Sequence, residues 1–234
     1  MSPLSLMNDK PVSLKHFVFY FLFAIVHLGA ITVSEYGSVV MISKSLLMPA
    51  LMIVFYRLTR NRENRQRKHV FAALILSWIG DMVLLFQQSD STFFLIGLAS
   101  FLLAHIFYII SFSFSISNEH VALLKRKPWL ILFFFLYASG IFMVVYHQLG
   151  SMLIPVIVYM CMILTMGLAA LNRYGRVAQR SFIDVFIGAC LFILSDSLLA
   201  INKFYMPFAL ASFLIMITYI NAQFFIVRGM IEEV

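Results

Sequence analysis

Two aspartates, Asp81 and Asp196, interrupt apolar runs long enough to cross a bilayer. The first closes Leu-Ser-Trp-Ile-Gly-Asp over 76–81 and the second closes Phe-Ile-Leu-Ser-Asp over 192–196. An ionisable group at membrane depth costs about 3 kcal/mol or more unless it faces a partner or a water-filled cavity, so it marks a functional site by default. Each carboxyl has a hydroxyl close by, Ser77 one turn before Asp81 and Ser195 beside Asp196, and the pair points to acid–base chemistry inside a membrane protein. Other polar residues share faces by helical spacing. His105 and Tyr108 are three apart, Tyr219 and Gln223 four apart, and Pro155 and Tyr159 four apart. Asp196 and Lys203 lie two turns apart, and Lys44 stands early in the second apolar run. Such polar faces turn toward a bundle interior rather than toward lipid.

The elements that position these residues follow from composition. The 234-residue chain is 62% hydrophobic and 12% charged, with a mean hydropathy of +0.96. Soluble domains carry about 25% charged residues, so this is a polytopic membrane protein. About 20 apolar residues span the hydrocarbon as a helix. Eight segments qualify, at 14–33, 38–57, 69–87, 92–116, 129–147, 151–171, 181–201 and 207–228. The reading is all-α, one integral membrane domain over 1–234, with the first run a retained helix rather than a cleaved signal. Cys161 and Cys190 sit in apolar runs, which argues against a disulfide scaffold, and no Cys/His spacing resembles a metal site. No cofactor is called for.

Connections alternate in charge. Segments 58–68, 117–128 and 172–180 are basic (Arg60, Arg62, Arg65, Arg67 and Lys68; Lys125, Arg126 and Lys127; Arg173, Arg176 and Arg180). The intervening connections are short, with Lys203 their one basic residue. The positive-inside rule then places both termini in the cytoplasm, in agreement with Lys10, Lys15 and Arg228. Only Lys44 and Lys203 of the 17 Lys and Arg residues fall on the outer side. The net charge of +7 therefore reflects topology and anionic headgroups, not nucleic-acid binding. Compact loops favour a bacterial inner membrane over the endoplasmic reticulum. The oligomeric state has no signature.

With this topology Asp81 and Asp196 lie at similar depth in the outer half of two outward-running helices, the third and the seventh. Lys44, His27, Tyr159 and Glu35 belong to the same half, and His105 lies near mid-membrane. Asp184 is at a cytoplasmic helix end, where ordinary solvation explains it. His27 has no companion at helical spacing and reads as core packing. The 14 Met and 25 Phe residues fill lipid-facing and core surface. The shared Ser and Asp late in helices four apart fit two parallel four-helix halves.

These residues resemble the YhhN family of transmembrane lysoplasmalogenases. The resemblance rests on 76–81, His105 with Tyr108, 188–204 and 218–223, with Ser-Asp-x-x-x-Ala-x-x-Lys-Phe over 195–204 its most specific piece. Lys44 followed by Pro49, and Pro155-Val156 followed by Tyr159, also look like that family. The resemblance covers nearly the whole chain. It implies hydrolysis of the vinyl-ether bond of a lysophospholipid, giving a fatty aldehyde and glycerophosphoethanolamine or glycerophosphocholine. Such a reaction needs an acid to protonate a carbon and a negative charge facing the resulting oxocarbenium ion, and two carboxyls in unlike surroundings supply both, as in glycosidases. Burial favours the uncharged carboxyl and a nearby lysine favours the carboxylate. Asp196 is the acid and Asp81 the carboxylate on this reading, with the reverse still open. Tyr159, His105 and Tyr219 orient water, and Lys44 or Lys203 holds the phosphate unless Lys44 only neutralises an aspartate.

A proton-coupled transporter or a lipid-binding membrane protein uses the same buried carboxyls. Transport requires a polar path into the cytoplasmic half, where the sequence offers Tyr219, Asn221, Gln223 and Asp184. The clustering of polar groups toward one side favours a dead-end pocket, hence an enzyme or a lipid-binding protein.

Overall fold

A computed structural model of the chain describes residues 12–33, 37–62, 65–87, 89–114 and 121–233. Lys10 and Glu35 lie outside the described residues. Among those described there are helices and no strands, as a chain in lipid demands, because only a helix or a closed barrel satisfies every backbone polar group there. Helix α1 (Val18–Val33) follows a 3-10 turn, Leu14–Phe17, whose first amides Ser13 caps. Then come α2 (Ser38–Thr59), α3 (Arg65–Leu84) and α4 (Ser91–Phe114). A short α5 (Leu123–Arg126) precedes α6 (Leu130–Val145), α7 (Leu153–Leu171), α8 (Gln179–Ala200) and α9 (Ala211–Ile231).

Among the described residues seven helical stretches are long and apolar enough to cross a membrane, and the protein is an integral multi-pass membrane protein. The stretch that does not qualify by composition is α3, which starts at Arg65, four residues earlier than the apolar run at 69–87 implies, and carries Arg65, Arg67 and Lys68 in its first turns. Large apolar side chains such as Phe19, Ile25, Phe133, Phe135 and Ile154 face outward, as a lipid-facing surface requires. The connection expected at 202–206 is in part a continuation of α8, which runs on as a π-helical turn over Ile201–Tyr205. A single wide turn of this kind is often found at functional sites.

Two helix pairs approach closely. On α8 and α9, a Cβ at Gly188 would lie 2.8 Å from the Ala222 carbonyl oxygen, and one at Gly229 would lie 2.9 Å from the Ser181 carbonyl oxygen. On α3 and α4, a Cβ at Gly80 would strike the Phe101 ring at 2.6 Å. Small residues at such crossings let backbones meet where no hydrophobic force drives helices together. Asp81 and Asp196 therefore ride on the two most tightly paired units of the bundle.

The ends of the bundle differ in chemistry. At the end holding the α3 N-terminus and the α9 C-terminus, Arg173 is fully buried, paired with Glu233 and donating to Ser181 Oγ at 3.0 Å. Its guanidinium stacks 5.3 Å from the Phe112 ring centroid. Burial pushes the Arg173 guanidinium below its ordinary value, and the Glu233 carboxylate opposes that shift. Beside this cluster Asp184 takes both guanidinium arms of Arg228 at 2.5 Å, so its role at the helix end is structural. The opposite end holds the cavity.

Candidate active site

Each aspartate occupies the last third of its helix, which brings both to the same end of the bundle. Asp81 on α3 is 2% exposed. Its Oδ1 faces the Lys44 ammonium of α2 at 3.8 Å, and its Oδ2 accepts a hydrogen bond from the Tyr219 hydroxyl of α9 at 2.7 Å. Asp196 on α8 has a different partner, the Tyr159 hydroxyl of α7, which donates to its Oδ2. No cation lies within ion-pair distance of Asp196 among the described residues. The two carboxyls thus stand in unlike electrostatic surroundings.

Both line one cavity of about 490 Å³. Lys44, Tyr159, Ser195, Lys203 and Tyr219 line it too, so seven of the eleven residues singled out from the sequence converge there. Lys203, on the π-helical turn, lies with its ammonium 5.1 Å from the Phe94 ring centroid at the wall. That contact holds the charge itself against the ring beside the cavity. Ser195 lines the cavity but spends its hydroxyl on the Ile215 carbonyl at 3.0 Å, tying α8 to α9.

The other four lie behind the wall. Gln223 accepts from the Tyr108 hydroxyl at 2.6 Å and donates to Ser77 Oγ at 3.1 Å and to the Tyr219 oxygen at 3.5 Å. Tyr108, Ser77 and Gln223 therefore orient Tyr219, which in turn holds Asp81. A fully satisfied buried network of this kind fixes one geometry. His105 is fully buried, and neither ring nitrogen has a hydrogen-bond partner among the described residues. Its ring packs edge-on against Tyr159 at 5.4 Å and Phe192 at 4.8 Å, and Phe192 packs on Tyr219 at 5.5 Å. The chain Tyr159–His105–Phe192–Tyr219 forms an aromatic shelf joining the tyrosines that hold the two carboxyls.

His27 is the residue that sequence reasoning missed. It is buried, as a core histidine is, but it also lines the cavity. Its Nδ1 lies 3.0 Å from Ser43 Oγ, whose own proton goes to the Val39 carbonyl at 2.6 Å. The serine proton being committed, His27 Nδ1 donates, which leaves Nε2 as an acceptor with no partner among the described residues. Its companion sits on α2, so spacing along α1 carried no signal.

The YhhN family profile matches residues 39–230, a stretch that contains every site residue singled out from the sequence. The chain belongs to the YhhN family. Relatives of this YhhN protein include lysoplasmalogenase TMEM86A of Bos taurus, 30% identical over 167 residues, covering 70% of this chain and 65% of that protein. Lysoplasmalogenase TMEM86B of Homo sapiens is 32% identical over 156 residues, covering 66% of this chain and 59% of that protein. The match thus spans less than two thirds of the length of either relative. No solved structure matches this YhhN chain.

Proposed function

We propose that the protein is a lysoplasmalogenase, cleaving the vinyl-ether bond of lysoplasmalogens with an ethanolamine or choline headgroup. The observation that carries this reading is the pair of carboxyls on one cavity with unlike partners, Lys44 and Tyr219 for Asp81 and Tyr159 for Asp196. The names of the YhhN relatives support it. In the membrane the chain crosses eight times, α3 included, with the Arg173–Glu233 end and both termini in the cytoplasm and the cavity at the outer headgroup level.

Lysine favours the carboxylate form of a buried acid, and burial without a cation favours the neutral form. Asp81 is therefore the carboxylate and Asp196 the acid. Asp196 delivers its proton to the alkenyl carbon distal to the ether oxygen, and the double-bond electrons form that C–H bond. The oxocarbenium ion left behind is stabilised by the Asp81 charge and by the Tyr159 and Tyr219 rings on the cavity wall. Water adds to the cationic carbon while Asp81 takes its proton, giving a hemiacetal. Asp196, now a carboxylate, removes the hemiacetal hydroxyl proton, and Asp81 returns its proton to the departing glycerol oxygen. The products are a fatty aldehyde and the glycerophospho-alcohol, and both carboxyls regain their starting states. Tyr159 and Tyr219 aim the carboxyl oxygens, and Lys203 and Lys44 offer donors for the phosphate.

Purified protein incubated with a lysoplasmalogen releases aldehyde, and the saturated ether analogue yields none. Asp196→Asn keeps the Tyr159 hydrogen bond but has no proton to give, so kcat falls about 10²–10⁴-fold, the usual worth of general acid catalysis. Aldehyde release within tenfold of wild type by a folded Asp196→Asn protein sinks the mechanism.

A further inference from the structure

Beside the polar cavity lies a second pocket of about 60 Å³, apolar and bounded by α4, α6, α7 and α8. Ala138 and Ile141 of α6, Met160 and Leu164 of α7, and Ile193 of α8 form much of its lining. The two spaces share Tyr159, Asp196, Phe94, Leu98 and Leu199 as walls. Asp196 is the one aspartate that borders both; Asp81 borders the polar cavity alone.

The wall formed by α6 is the loosest part of the bundle. Only Ala138 and Val145 are buried along it, and its outward face is apolar from Ile131 to Val144. A polar tie across to α8 is the hydrogen bond from the Tyr137 hydroxyl to Ser197 Oγ at 2.9 Å, beside Asp196 in sequence. Tyr137 and Ser197 both line the apolar pocket.

We propose that this pocket is the hydrocarbon-chain subsite for a single-chain lipid, and that α6, latched by Tyr137 and Ser197, is the wall that yields to admit the chain sideways from the bilayer. The inference rests on the lysoplasmalogenase reading for the identity of the lipid. In such a lipid the vinyl ether stands where polar glycerol meets apolar chain. The shared wall at Asp196 and Tyr159 is the matching boundary in the protein, so a lipid with its head beside Lys44 and Lys203 and its chain under α6 presents its double bond to Asp196. At roughly 10–15 Å³ for each water-sized group, the pocket holds about four to six methylenes at its present width. Longer chains continue between α6 and α7 toward lipid.

Two measurements test it, one of them independent of catalysis. The first uses a saturated ether lysophospholipid with a diazirine at the chain terminus, photolysed with the full-length protein in nanodiscs. We expect labelling on Leu130–Val145 and Leu153–Leu171 that excess unlabelled lysophospholipid removes and that Ala138→Trp, which fills the pocket, abolishes. The second compares aldehyde release from long-chain and short-chain substrates. Each buried methylene is worth about fourfold in binding, so Ala138→Trp lowers the long-chain to short-chain ratio of kcat/KM on the order of 10²–10³-fold, and Tyr137→Phe raises the rate of chain uptake. Competable label that persists in folded Ala138→Trp, or an unchanged chain-length ratio, overturns the subsite. Competable, Trp-sensitive label in a protein that releases no aldehyde upholds the subsite and removes the lysoplasmalogenase reading instead.

Discussion

The Lys44–Asp81 pair yields the sharpest quantitative expectation. Its ions stand 3.8 Å apart, with side chains 14% and 3% exposed. At an effective dielectric constant near 20, that separation corresponds to about 4 kcal/mol of attraction. Asp81→Asn removes it, leaves the ammonium facing a neutral amide, and turns a charge-assisted hydrogen bond from Tyr219 into an ordinary one, which loses about 1 kcal/mol more. Removing one partner of a buried pair typically costs about 3–5 kcal/mol, and the residual exposure of Lys44 to the cavity sets this case at the lower end. Lys44→Met strands the carboxylate instead, at similar cost. The double variant carries no unpaired charge, and replacing a buried pair by neutral groups is commonly close to neutral for stability. Thermal unfolding in detergent reads this out, at about 2–4 °C per kcal/mol for a chain of this size. Each single variant is expected to lose about 6–15 °C, and the double variant to recover to within about 4 °C of wild type. Aldehyde release does not return in the double variant, because the carboxylate is gone. Additive losses in the double variant would refute the pairing as the source of the stability; recovered activity would refute the role of Asp81.

Two further expectations concern the frame. Gly188→Ala places a methyl 2.8 Å from the α9 backbone and costs about 1–3 kcal/mol by forcing α8 and α9 apart, whereas Gly140→Ala, with nothing within 4 Å, gains up to about 1 kcal/mol from helix propensity; equal effects of the two in thermal unfolding contradict the close crossing. Glu233→Gln leaves the fully buried Arg173 without its carboxylate and lowers stability by about 3–5 kcal/mol, and a shift below about 2 °C in the unfolding midpoint shows that the cluster at that end bears no strain.

The clustering of polar side chains was legible where it depended on depth, and lost where it depended on neighbours. Positive-inside counting and helix length put Asp81, Asp196, Lys44 and Tyr159 at one height, and those four line one cavity; Tyr219, counted with the cytoplasmic half, lines it too, because from α9 it donates to Asp81. Helical spacing also grouped Ser77 with Asp81 and Gln223 with Tyr219, correctly as to face. Four residues along a helix, however, are about 6 Å of depth, enough to sink Ser77 and Gln223 below the cavity floor, where they hold Tyr219 rather than meet a ligand. His27 shows the converse, since its partner Ser43 belongs to another helix and no periodicity within α1 marks it. The start of α3 differs from the apolar run for a physical reason as well. The basic first turns of α3 depress its hydropathy, yet Arg67 reaches back to Thr59 Oγ1 at 3.1 Å, so charge that looks like loop is packed against the bundle.

The same geometry bears on the two roles open to Lys44. A separation of 3.8 Å is long for a hydrogen bond, which lies at about 2.7–3.2 Å between nitrogen and oxygen, but short for Coulomb attraction. The ammonium therefore holds Asp81 by charge without committing its three donors to it. Neutralising an aspartate and meeting a phosphate in the same cavity are then compatible tasks for one side chain. What the separation excludes is a locked, bidentate pair of the kind Arg228 makes with Asp184, whose donors are spent and whose role is to hold helices together. A lysine rather than an arginine at position 44 leaves both tasks open, because a compact ammonium on a flexible stem can turn between two anions while a planar guanidinium fork locks onto one.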